Sequence, residues 1–281
     1  MIPIPATEQK LLEKSTANFS LLSPRVVEWT KNKRGEFSSS TEMMQILFKK
    51  SEISFSSKLL EKIQKKQKAY IDCLKEMSVA SFEIKAKSSS PFITGLGSGH
   101  PTETGMILDR NTGLPYIPAS SIKGVLRLSQ AINCADENGN VDENDKRIVK
   151  YFGTTSDAQE AKRGQLFILD AYPDSERVPK LKLDIMNPHF GNYYSGTNKQ
   201  PVETETPVPI KFLTVKEETA FVFRCAFMPL GNEILSENER QEIQQDVDAM
   251  FDTAFETVGF GGKTAIGYGR FKKIVTGVPT K

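Results

Sequence analysis

The chain has 281 residues, 38% hydrophobic and 26% charged, which is enough for one large domain or two small ones with a real core. Its 37 basic and 35 acidic residues leave a net charge of +2, which excludes a wholly basic nucleic-acid coat but leaves room for a local basic groove. The cysteines (Cys73, Cys134, Cys225) lie far apart with no CxxC spacing, so buried free thiols in a reducing cytoplasm are expected rather than zinc or a disulfide framework. No apolar run approaches the ~18 residues of a membrane span, and the start MIPIPATEQK lacks the basic-then-apolar pattern of a signal peptide, so neither is expected.

Taken in order, Leu21 to Trp29 reads as a short helix broken at Pro24, and Lys31 to Arg34 with Ser38 to Ser40 as a polar linker. Trp29, the only tryptophan, is expected to anchor this arm. From Thr41 the pattern turns helical: Leu59, Leu60, Ile63, Tyr70, Ile71, Leu74 and Met77 fall at helical spacing, and Lys58, Lys62, Lys65, Lys66 and Lys68 fill much of the rest. That charge run is either an RNA-facing basic helix or a solvated face, the second being the commoner use of such a pattern.

Ala80, Phe82, Ile84 and Ala86 alternate with polar residues and predict a half-buried strand. A helix is predicted from Ser120 to about Ile132, a surface loop over Asp136 to Asp145, whose spacing lacks the DxDxDG of a calcium site, and a short helix over Lys146 to Phe152 ending at Gly153. Leu166 to Leu169 reads as a central strand, and Leu181, Leu183 and Ile185 as another. Asn187 to Pro207 is a long irregular stretch, expected to be functional or mobile. Ile210 to Val215 and Ala220 to Phe227 read as a hairpin through Lys216-Glu217-Glu218. Ser236-Glu237-Asn238-Glu239 is a capping box opening a helix with Ile243, Val247, Met250, Phe251, Ala254 and Val258 on one side, and a last short strand runs through Phe271 and Ile274. The order strand, helix, strand, strand, helix, strand predicts an α+β, ferredoxin-like (RRM-like, split βαβ) domain over residues 79–281, with an extra β-hairpin, a long inserted loop and a helical N-terminal arm over residues 1–78.

Two stretches carry the candidate chemistry. Gly95, Gly97 and Gly99 lead into Tyr116-Ile117-Pro118-Ala119-Ser120-Ser121-Ile122-Lys123-Gly124, where Ser120 or Ser121 is expected to cap the helix and Lys123 and Arg127, four apart, project from one face. Free N–H groups and two cations at a helix N-terminus suit a phosphodiester chain, although an ordinary capped helix with solvated charges has the same pattern. The second stretch, Val258 to Phe271, has five glycines in eleven residues with Lys263, Tyr268 and Arg270 interleaved, so its backbone can approach a ligand, or simply form a tight turn. Gly262-Lys263-Thr264 ends like a Walker A motif, but Thr257 stands where its first glycine belongs and a helix precedes it, so nucleotide hydrolysis is rejected. Gly95-Leu96-Gly97-Ser98-Gly99 likewise misses the dinucleotide fingerprint by one position. His100 and His189, the only histidines, sit in no nucleophile motif.

The pair PYIPASSIKGVLR and GFGGKTAIGYGRF resembles the paired signature of the RAMP superfamily, the repeat-associated proteins of CRISPR effector complexes. Asp184 to Tyr194 (DIMNPHFGNYY) and Pro207 to Val215 (PVPIKFLTV) are similar to the sixth-subunit family of type III-B (Cmr) RNA-targeting complexes, a resemblance running from about Val79 to Phe271. It implies a non-catalytic, cytoplasmic RNA-binding subunit that caps the backbone of the complex near the 3′ part of the guide RNA. Its implied partners are CRISPR guide RNA, single-stranded target RNA, the backbone RAMP subunit, the small helical subunit and the first RAMP subunit, with no membrane, metal or cofactor. Ser120, Ser121, Lys123 and Arg127 would form one wall of an RNA groove, Gly261, Gly262, Lys263, Thr264, Tyr268 and Arg270 the other, and His189, Tyr193 and Tyr194 in the long loop would reach RNA or a neighbour. Related backbone subunits cleave target RNA with an aspartate in the loop after the first strand; SSSPFITGLGSGH has none here, so no enzyme is expected. The alternative is a metal-independent endoribonuclease of the superfamily that processes CRISPR RNA, with His100 or His189 as base.

Overall fold

In the computed structural model the described residues are 18, 20, 29–31, 37–39 and 55–274, less 99–103, 156–159, 188–189, 191–192, 194–195, 198, 202–208 and 232–233. The core is an antiparallel sheet with helices on both faces. Its central strands are β3 (Ala80–Ser88) and β8 (Ala220–Phe227), paired from Ala80↔Phe227 to Lys87↔Ala220. β4 (Leu166–Ile168) and β5 (Tyr172–Pro173) pair with β8, and β9 (Phe271–Lys273) pairs with β3, giving the order β4-β8-β3-β9.

Alternation assigns the faces. Phe82, Ile84, Phe223 and Cys225 point toward α2 (Ala119–Asn133) and α4 (Glu237–Thr253), whose buried residues Ile122, Leu126, Ile243, Val247, Met250 and Phe251 fall at helical spacing. Phe223 is the hub, with its ring 5.6 Å from Phe251, 5.2 Å from Phe255, 5.3 Å from Phe260 and 5.8 Å from Phe271. The capping box at Ser236 forms as its residues dictate, Ser236 and Glu239 each accepting from the other's backbone N–H. A π turn over Ala254–Val258 then advances the helical phase, so Phe255 is buried and Val258 only half-buried, where a regular helix would have turned Val258 inward.

The opposite face carries α1 (Ser57–Glu76), which buries Leu60, Gln64, Ile71 and Leu74 and leaves Leu59, Tyr70 and Met77 exposed. Arg224, 3% exposed in β8, fixes α1 in place. Its guanidinium donates to Glu83 (2.8 Å), Gln64 (2.7 Å) and Gln67 (2.9 Å), while Gln64 donates on to the Tyr172 and Pro173 carbonyls and Gln67 to that of Asp170. The sheet face on which an RRM-like domain would stack bases is therefore covered.

Several expectations are corrected. Leu166–Ile168 is an edge strand, because the eight-residue β8, apolar but for Arg224, takes the centre and β4 is too short to be enclosed. β7 (Ile210–Val215) does not form a hairpin with β8, both of whose edges are already used; it pairs with β6 (Leu181–Met186), from Leu181↔Val215 to Met186↔Ile210, in a separate ribbon. At the start, Trp29–Lys31 (β1) and Phe37–Ser39 (β2) pair antiparallel, so these positions are strands rather than helix end and linker. The short helix over Lys146–Phe152 (α3) ends at Gly153 as expected. Of the cysteines only Cys225 is buried, its thiol pushed up to about 12 by that burial; Cys134 is half-buried and Cys73 exposed. No helix among the described residues is long and apolar enough to cross a membrane.

Candidate nucleic-acid interface

The start of α2 is held by pairing that is distant in sequence. Ile117 bridges Ala171, and Tyr116 stacks on Tyr172 with ring centroids 5.7 Å apart and planes at 18°. Neither Ser120 nor Ser121 caps the helix, as the spacing had suggested. Pro118 occupies the N-cap position, both serines lie already inside the first turn, and the Ala119 N–H donates to the Asp170 carboxylate at 2.7 Å. An acid thus fills the place a phosphate would take at the helix terminus.

Both serines are exposed, and Ser120 and Lys123 line a cleft of about 260 Å³ against Arg163, Gln165 and Phe167 at the outer edge of β4. Arg163 gave no signal in the sequence beyond preceding a strand. Neither Lys123 nor Arg163 has an acidic partner among the described residues, so the cleft holds two uncommitted positive charges. Arg127 shares the helix face of Lys123 but is engaged: it donates to the Gly153 carbonyl at 3.2 Å and lies 4.0 Å from the Glu143 carboxylate.

The Gly-rich stretch leads into β9, at the opposite edge of the sheet, and no hydrogen bond or ion pair among the described residues joins it to the α2 cleft. Two of its glycines, Gly261 and Gly269, serve close approach to the protein's own backbone. A Cβ on Gly261 would lie 2.2 Å from the Ile93 carbonyl oxygen, and one on Gly269 1.9 Å from that of Phe260; both residues have positive φ, as does Lys263. Arg270 is turned inward, donating to the carbonyls of Thr257 and Thr264. Tyr268 donates to Asp184 at 2.8 Å and packs on Phe212; burial and that hydrogen bond raise its pKa to about 12. Lys263 sits 5.6 Å over the Phe212 ring, and Thr264 opens a 3₁₀ turn. The stretch locks the β6–β7 ribbon to the sheet edge, and its tip, Ala265 to Gly267, is exposed.

In the long loop, Tyr193 is exposed, while His189 and Tyr194 fall outside the described residues, as does His100. Asp109, the first aspartate after β3, is committed to structure. Burial raises its pKa, but hydrogen bonds from Thr112, Tyr172 and Asn111 outweigh this and hold it below the ordinary carboxylate value.

Comparison with known proteins agrees with this architecture. The chain is 28% identical to CRISPR system Cmr subunit Cmr6 of Pyrococcus furiosus, over 80% of this chain and 77% of that protein. It is 24% identical to the Cmr6 subunit of Saccharolobus solfataricus, over 82% and 72%. In fold it resembles a chain of the cryo-EM structure of the type III-B Cmr-beta complex bound to cognate target RNA, with TM-score 0.58 and 20% identity, covering 96% of this chain and 86% of that one. The model of the RAMP superfamily matches residues 85–272, and the chain belongs to that superfamily.

Proposed function

We propose that this protein is a non-catalytic RNA-binding subunit of a type III-B Cmr CRISPR effector complex. It caps the stacked backbone near the 3′ part of the guide RNA and helps hold guide and target RNA. The observation that carries the reading is the 28% identity to a Cmr6 subunit across four-fifths of the chain. Its neighbours would be the backbone RAMP subunit, the small helical subunit and the first RAMP subunit, in the cytoplasm. On this reading residues 1–78 form an arm and residues 79–281 a ferredoxin-like RAMP domain; the sheet order β4-β8-β3-β9, with α2 and α4 on one face, supports that fold.

The cleft between α2 and β4 is the best-supported phosphate site. Among the described residues Lys123 and Arg163 lack acidic partners there, whereas Arg127, Tyr268 and Arg270 already hold the protein's own groups. Ser120 and Ser121 add exposed hydroxyls beside it, whereas at the tip of the Gly-rich loop the Ile266 and Gly267 N–H groups already donate to the Lys263 and Thr264 carbonyls. Contacts of this kind ignore base identity, as a subunit serving many guides requires.

The test is salt-dependent binding of single-stranded RNA to the full chain. Lys123→Gln with Arg163→Gln is expected to reduce the slope of log K against log salt by about 1.4, at ~0.7 per lost phosphate contact, and to weaken binding at low salt. Arg127→Gln is expected to lower the melting temperature with little change of slope. An unchanged slope in the double variant would remove the cleft from the interface.

A further inference from the structure

The edge strand β4 brings together more than charge. Phe167 sits at its middle, 36% exposed, and its ring lies 5.9 Å from that of Tyr70 on α1, itself 46% exposed, with planes at 53°. Phe167 pairs with Ala226, so its side chain stands on the α1 side of the sheet, while Lys123 lies on the α2 side; the edge of β4 separates the two flanks. Lys66 precedes Tyr70 by one helical turn, is exposed, and has no ion-pair partner among the described residues, unlike Lys65 with Glu61 and Lys68 with Asp72.

Two rings left open at a sheet edge, between cations with no acidic partner among the described residues, match what single-stranded nucleic acid needs: a π face for a base and positive charge for the flanking phosphates. An apolar protein surface would have no use for the unpaired charges, and an acidic one none for the rings. The α1 helix that closes the sheet face supplies half of the platform, so base stacking is moved from the face to the edge. We propose that Tyr70 and Phe167 form a base-stacking platform for single-stranded RNA, with the flanking phosphates held by Lys123 and Arg163 on one side and Lys66 on the other. This rests on the RNA-binding reading above and adds to it the way in which a base is held.

The test compares a short 5′-labelled oligouridylate with an abasic ribose-phosphate oligomer of equal length, by fluorescence anisotropy on the full chain. The parent protein is expected to prefer the base-bearing oligomer by about tenfold, in line with stacking on one aromatic platform. Tyr70→Leu with Phe167→Leu keeps apolar bulk but removes the π faces; it is expected to bring that preference close to one while leaving the salt slope unchanged. Cross-linking of the parent protein to a 4-thiouridine oligomer, which requires no variant to fold, should mark Tyr70 or Phe167. A preference that survives the double substitution, or cross-links only elsewhere, would overturn the platform. If the slope also ignores Lys123→Gln with Arg163→Gln, the RNA-binding reading of this edge falls with it; if the slope responds, that reading stands without the platform.

Discussion

Gly269→Ala is expected to lower the melting temperature by roughly 6–12 °C, whereas Gly262→Ala, seven residues earlier in the same stretch, should melt within about 2 °C of the parent protein. The two sites differ in space and in backbone. At Gly269 a new Cβ would lie 1.9 Å from the Phe260 carbonyl oxygen, with φ at +69°; at Gly262 its nearest neighbours would be 3.8 Å away. A left-handed conformation costs an L-residue about 1–2 kcal/mol and overpacking about 1–3 kcal/mol, so about 3 kcal/mol is expected at Gly269. The clash cannot be relieved by a side-chain rotation, because the Phe260 N–H donates to the Gly269 carbonyl at 2.9 Å and the two backbones are held together. Equal melting of the two variants, followed by circular dichroism, would contradict this packing and return the glycines to a ligand-facing role.

Arg224→Ala is expected to cost about 3 kcal/mol, most of it from the groups left behind, since breaking a buried ion pair strands its partner. Glu83, Gln64 and Gln67 would lose a common donor in a site that water enters poorly. Arg224→Lys should rescue little, because one ammonium cannot reproduce the fork that reaches a carboxylate and two amide oxygens. The loss should also be local. Hydrogen exchange in Ser57–Glu76 is expected to speed up more than in Ala80–Ser88, because Gln64 and Gln67 reach β8 through this guanidinium and keep only their bonds to the Asp170, Tyr172 and Pro173 carbonyls without it. Equal protection of Ser57–Glu76 in parent and variant would contradict that.

What the sequence made legible was local. The alternation of Ala80 to Ala86, the capping box at Ser236 and the short helix closed by Gly153 each follow from residues within one or two turns, and each stands where expected. The choice of strand partner was not local. Ile210–Val215 lies four residues from Ala220–Phe227, but its pairing was decided by β8 having no free edge. The start of α2 is similar: serines at the right spacing suggested a cap, and the acid that meets the Ala119 N–H comes from Asp170, 51 residues on. Within the candidate site, Lys123 was legible as a cation near a helix start, while Arg163 and Phe167 entered only once the edge of β4 was known. Arg127 and Arg270 looked as free as Lys123 in the sequence, and three-dimensional packing alone separates them.

Native mass spectrometry of the tagged protein purified from its own host, with the bound RNA sequenced, tests most directly whether the chain belongs to an RNA-carrying assembly. One copy of the chain in a large complex that carries repeat-derived guide RNA is expected. A free monomer without RNA would contradict it.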